Sequence, residues 1–103
     1  MAEFVKVCSV GDVEEGGSIT VEVGDLKIAI FLKGETFYAI ADRCPHAGGS
    51  MGLGWIDEGE AVCPLHRWQF NLDTGRCSTI RGQRIRKYDC EAREGSVWVS
   101  VPS

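Results

Sequence analysis

The sequence contains no apolar run approaching the ~20 residues that cross a bilayer as a helix, which excludes a membrane helix or a tail anchor. Residues 1–10 carry charges at Glu3 and Lys6 and lack the apolar stretch of a signal peptide. They read as a first strand, and the expected location is the cytoplasm. Nowhere does a helical period last three turns, so a helix-based fold is excluded as well. Cysteines number five, an odd count without framework spacing, which argues against a secreted disulfide scaffold and fits metal binding in a reducing compartment. Carboxylates are missing from residues 76–87, where Arg76, Arg81, Arg84, Arg86 and Lys87 cluster, although the chain as a whole has net charge −4. Such a split makes faces of opposite sign, which are either simply solvated or form a surface that steers a charged partner.

What is present is one domain's worth of chain, 103 residues with 44% hydrophobic and 25% charged. Short apolar or alternating runs at 4–7, 19–23, 26–32, 36–41, 59–63, 84–89 and 96–101 read as strands. Gly24-Asp25, Lys33-Gly34 and Glu94-Gly95 are tight enough to close hairpins. The expected fold is an all-β antiparallel sandwich or barrel, with thirteen glycines supplying turns. The strand pattern is interrupted between about residues 42 and 80, where Gly, Pro, Cys, His and Trp concentrate. That stretch is expected to be an inserted binding subdomain.

The chain has two histidines, and each lies within three residues of a cysteine, in Cys44-Pro45-His46 and in Cys63-Pro64-Leu65-His66. Two loops thus each offer one soft thiolate and one imidazole, and the proline after each cysteine stiffens the backbone there. Such a donor set could hold one tetrahedral zinc, as in a structural interaction module, or a two-iron cluster. Zinc sites of two cysteines and two histidines usually draw both cysteines from one knuckle. The mixed loops here therefore favour iron.

In its loops the sequence resembles the Rieske family, whose pattern is C-x-H, a Gly-rich turn, and C-x-x-H about fifteen to seventeen residues later. The likeness continues through Gly48, Met51, Trp68, Phe70, Thr74 and Gly75. It implies a Rieske-like β-sandwich with an inserted cluster-binding subdomain, and one [2Fe-2S] cluster per chain. Cys44 and Cys63 would bind one iron and His46 and His66 the other. Two neutral imidazoles in place of two thiolates leave such a cluster less negative, so it accepts an electron more readily than an all-cysteine cluster. The extra loop cysteines of high-potential relatives are absent, and Trp68 stands where those proteins place a hydroxyl. Both differences predict the low-potential end of the family's range.

Further expectations concern the surroundings of the cluster. Gly48 and Gly49 would let the backbone aim N–H groups at the sulfurs. Ser50 would either add a donor or cap a turn, whereas Gly52 and Gly54 read as ordinary turn glycines. Trp68 and Phe70 read as core residues anchoring the second loop. Arg43, Arg67 and Arg76 are expected near the rim. Cys8, Cys77 and Cys90 read as small buried hydrophobes without assigned chemistry, their pairing left open.

A cluster held by four protein atoms has no open position for substrate, and no histidine remains for a separate catalytic iron. The expected role is therefore electron carriage and not catalysis. The resemblance implies a ferredoxin that takes electrons from an NAD(P)H-dependent flavin reductase and passes them to a terminal oxygenase. The other reading is the small subunit of an NAD(P)H nitrite reductase. A monomer is expected, with neither nucleic acid nor membrane as partner.

Overall fold

The computed structural model describes residues 2–45 and 48–102. Its strands are β1 (Ala2–Ser9), β2 (Ser18–Val23), β3 (Leu26–Lys33), β4 (Thr36–Ala41), β5 (Trp55–Asp57), β6 (Glu60–Val62), β7 (Gln69–Asn71), β8 (Lys87–Tyr88), β9 (Cys90–Arg93) and β10 (Ser96–Pro102). All paired strands are antiparallel and form three sheets, ordered β1-β10-β9, β2-β3-β4-β8 and β5-β6-β7. The all-β expectation holds.

Strand β3 explains the layering. Ile28, Ala29, Ile30 and Phe31 are all fully buried, so both faces of this strand are covered. Side chains alternate along a strand, and here they divide between two cores. Ile28 and Ile30 pack with Val13, Ala39, Tyr88, Val97, Val99 and Val101, the core shared with the β1-β10-β9 sheet. Ala29 and Phe31 face the other way and join Ile40, Cys44, Met51, Cys63 and Phe70. The four-stranded sheet is thus the middle layer, with the loops of the two motif cysteines on its second face. Burying Phe31 or Ile30 in this way contributes about 1.5–3 kcal/mol each.

Two hairpins fall where the sequence places them: Val23 pairs with Leu26 around Gly24-Asp25, and Arg93 with Ser96 around Glu94-Gly95. The third is one residue further on, since Lys33 itself pairs with Thr36 and the loop is Gly34-Glu35. The segment between 42 and 80 is not merely irregular, because it carries the whole β5-β6-β7 sheet. Its β5-β6 hairpin turns at Glu58-Gly59, both with positive φ (50° and 81°). The long strand expected over 84–89 is reduced to Lys87–Tyr88, while the unforeseen β9 follows it. A three- or four-residue strand shows too few alternations to stand out from a loop, which is why β5, β7 and β9 escaped detection.

Candidate metal centre

The first motif loop leaves β4 and is closed by backbone bonds. The Cys44 N–H donates to the Gly49 carbonyl (2.8 Å), and the Gly48 N–H donates to the Cys44 carbonyl (2.9 Å). Arg43 and Ser50 form an isolated antiparallel bridge at its base. The second loop leaves β6 and repeats the pattern: the Cys63 N–H donates to the Trp68 carbonyl (2.9 Å) and the Arg67 N–H to the Cys63 carbonyl (2.9 Å). In both loops the residue four places after the cysteine is left-handed, Gly48 at φ 75° and Arg67 at φ 60°. A non-glycine residue there is uncommon, so Arg67 hides from a reading that looks for glycine. Aligning the two Cys-Pro starts would have exposed it.

The two loops meet at Gly49. A Cβ on this buried glycine would lie 2.8 and 2.9 Å from Leu65 Cγ and Cδ1, and 3.2 Å from Cys63 Sγ. With no side chain at Gly49, the first loop's backbone comes close to the second cysteine's sulfur, and a Cβ there would have to displace the Leu65 side chain. Cys44 and Cys63 are each 1% exposed and share one core cluster, whereas His66 is exposed. His46 lies outside the described residues. The described donors therefore fit a two-iron group with its thiolates inside and an imidazole toward solvent.

Several expectations change. The Gly48 N–H is committed to the Cys44 carbonyl, so it is Gly49, by its close approach, that shapes the site. The Ser50 hydroxyl donates to Asp42 Oδ1 (3.0 Å), and no side-chain bond caps the turn that follows it. Asp42, unremarked in the sequence, is the buried carboxylate that anchors the first loop. Its Oδ1 also accepts from the Thr20 hydroxyl (2.8 Å) and the Gly52 N–H (2.8 Å). A buried carboxylate must be bonded in this way or destabilise the fold. Gly52 and Gly54 are not turn glycines of the positive-φ kind. They are sites of close approach, where a Cβ would fall 1.9 Å from Thr20 Oγ1 and 1.9 Å from the Val62 carbonyl oxygen, respectively. Trp68 packs against the core and Phe70 is fully buried, as anchors of the second loop should be.

None of the five cysteines forms a disulfide. Burial pushes the Cys90 thiol up to about 12, with nearby Cys8 and Glu91 adding to the effect, and burial with Asp12 raises Cys8. A raised folded-state value means that the native protein holds this proton more tightly than the unfolded chain. The stability it confers is intact below about 9 and is lost as pH rises from there toward about 12. Native alkylation by iodoacetamide at pH 8 should accordingly label Cys90 at least about tenfold more slowly than a free thiol peptide, because the thiolate is the nucleophile. Peptide mapping of the labelled protein checks this.

A fold of stacked antiparallel sheets, carrying two matched Cys-Pro loops that converge on one point, defines an iron-sulfur protein of the Rieske type. The model of the Rieske [2Fe-2S] domain matches residues 3–89, and the chain belongs to that family. Its cofactor is a [2Fe-2S] cluster and its role is to carry electrons, so the structural zinc reading gives way. The chain is similar to the 3-phenylpropionate/cinnamic acid dioxygenase ferredoxin subunit of Escherichia coli (strain K12). They are 33% identical over 100 residues, which is 95% of this chain and 93% of that one. Among solved structures, the ferredoxin of carbazole 1,9a-dioxygenase from Nocardioides aromaticivorans IC177 superposes with TM-score 0.85 at 25% identity, covering 93% of this chain and 95% of that one. The E. coli protein NirD superposes with TM-score 0.89 at 22% identity over the whole of both chains, a likeness of fold.

Proposed function

We propose that Cys44 and Cys63 hold one iron of the cluster and His46 and His66 the other, within a binding unit of about residues 42–80 in a single domain. The chain would serve as a freely diffusing cytoplasmic ferredoxin, monomeric and without an enzymatic activity of its own. It takes one electron from an NAD(P)H-dependent flavin reductase and delivers it to a terminal oxygenase. The observation that carries the reading is the junction at Gly49, where the first loop lies against Cys63 Sγ while His66 stays exposed.

When bound, the cluster accepts and releases a single electron. The protein's own residues do the rest. Buried Cys44 and Cys63 keep water from the sulfur side, and the backbone bonds of each loop fix the cysteine before a partner arrives. Exposed His66 brings the conducting edge to the surface, where a partner can approach closely. The E. coli dioxygenase ferredoxin subunit supports the oxygenase assignment, being the more similar in sequence. The fold, shared at TM-score 0.89 and 22% identity with a NADH-dependent nitrite reductase small subunit from Mycobacterium tuberculosis, supports the second reading, a nitrite reductase small subunit.

An EPR-monitored redox titration of anaerobically purified protein tests the assignment. The expected result is a one-electron Rieske signal near the lower end of the roughly −150 to +300 mV range of such centres. A midpoint near the top would overturn the argument from the missing loop cysteines and the missing hydroxyl. Absence of the signal would overturn the ligand set. Stable co-purification with a large sirohaem-containing chain would transfer the protein to the nitrite reductase reading.

A further inference from the structure

The electropositive run after Thr74 lies beside the cluster loops. The Ser78 N–H donates to the Gln69 carbonyl (2.8 Å) and the Gln69 N–H donates to Thr79 Oγ1 (2.9 Å), which fastens this loop to the outer edge of β7. Gln69 follows Trp68, the residue whose carbonyl receives the Cys63 N–H. The loop is thus pinned to the same strand end as the second motif loop. It turns back on itself through the Arg76–Arg84 bridge and the bond from the Cys77 N–H to the Gln83 carbonyl (2.9 Å), leaving an open cleft of about 530 Å³.

Charge distinguishes this rim, since no acid lies between residues 76 and 87. Arg76, Arg81 and Arg84 line the cleft and are exposed. Among the described residues the one ion pair is Arg93 with Glu91 (3.8 Å), on the sheet that lies across the middle layer, so these three guanidiniums lack an internal carboxylate partner. Three acids lie near the loop: Glu60, whose carboxylate accepts from the Ser78 hydroxyl (2.5 Å), exposed Asp73 three residues before Arg76, and Asp89, which shares a surface hollow with Arg84. Asp57 and Glu58 lie around the β5-β6 turn, at the end of the small sheet remote from Cys63. Exposed apolar side chains accompany the arginines, Leu65 (55%) in the second motif loop and Ile80 (41%) in the arginine loop. Apolar anchors with an arginine margin are the composition of a protein interface.

We propose that the loop of residues 76–84 is a one-sided electrostatic dock for an acidic patch on the protein redox partner, with Leu65 and Ile80 as its apolar contacts. The inference rests on the electron-carrier reading and adds the partner's chemistry and orientation. An exit at the histidines alone leaves the partner free to rotate about it. Arginines on one side of the exit fix that rotation and leave the other side for departure. At about 0.1 M salt the Debye length is ~10 Å, so a partner at the exit feels this rim more than the distant carboxylates behind the net charge of −4.

The test uses cluster-loaded protein and a fluorescein-labelled hexaglutamate peptide, with binding followed by anisotropy at about 0.1 M ionic strength. A uniformly acidic protein would repel this probe, whereas the dock should bind it. Arg81→Glu should weaken binding on the order of fivefold, and Arg81→Glu with Arg84→Glu by at least about tenfold. Lys6→Glu, which changes net charge by the same amount as Arg81→Glu alone at exposed Lys6 on β1, should leave it within about twofold. No binding by the unaltered protein, or an equal loss from Lys6→Glu, overturns the dock. The Rieske EPR signal is recorded on every sample. Its absence would overturn the cluster reading, and its presence beside failed peptide binding would overturn the dock alone.

Discussion

Gly54→Ala is expected to remove most of the protein's stability and, with it, the cluster. The added methyl would begin 1.9 Å from the Val62 carbonyl oxygen, 3.1 Å from its carbon and 3.2 Å from the Met51 carbonyl oxygen. None of these is the end of a flexible side chain. Relief requires the first loop's exit to move away from β6, yet Trp55, the next residue, is paired with Val62, and Val62 leads directly into Cys63. A shift there separates the two motif loops. Overpacking against immovable backbone belongs to the most damaging class of substitution, about 4 kcal/mol or more, set against a total stability of roughly 5–15 kcal/mol. At about 4–8 °C per kcal/mol for a domain of this size, the melting temperature should fall by more than about 15 °C. Gly11→Ala is the control, because nothing lies within 4 Å of its Cβ and its φ is not positive. Circular dichroism melts and the iron content of both variants decide the matter. A Gly54→Ala protein that melts like the Gly11→Ala one would show that the loop and β6 are not locked together.

The second large effect concerns electron affinity. His66→Cys would exchange a neutral imidazole for a thiolate in the second motif loop, which β6 and the Cys63 backbone bonds hold in place. The extra negative charge beside the iron makes an incoming electron less welcome. Centres with two histidines span roughly −150 to +300 mV and all-cysteine plant-type ones lie near −400 mV, so a single exchange should lower the midpoint on the order of 100 mV or more. The EPR spectrum should also lose its Rieske form. Because His66 is exposed, the exchange creates no cavity, and the fold should survive it. A variant that keeps the parent spectrum and midpoint would remove His66 from the ligand set. Complete loss of the cluster from His66→Ala, alongside retention in His66→Cys, would strengthen the assignment by showing that a donor atom is needed there.

The all-β class was legible because β2, β3, β4 and β10 are six to eight residues long and bounded by glycine turns, long enough for alternation to register. The candidate cluster loops stood out for a different reason. Metal chemistry restricts ligands to a few residue types, and only two histidines exist to pair with cysteines. Roles carried by packing were misread or missed. Gly54 looked like a turn, Ser50 like a donor to the cluster or a turn cap, and Asp42 like nothing in particular.

Local chemistry is written along the chain: which side chains can hold iron, where strands alternate, where a hairpin turns. The sequence by itself therefore determined the class of fold and the cluster, and it singled out the two loops proposed to hold it. Tertiary structure decided which backbone segments come within van der Waals distance of one another. That alone sets Gly52 and Gly54 where a Cβ would meet backbone or buried side chains, sets Asp42 beneath the first loop, and brings the arginine loop to the side of the second. The physical reason is that close approach depends on residues distant in the chain, such as Gly54 with Val62 or Gly52 with Thr20, whose juxtaposition no local pattern encodes.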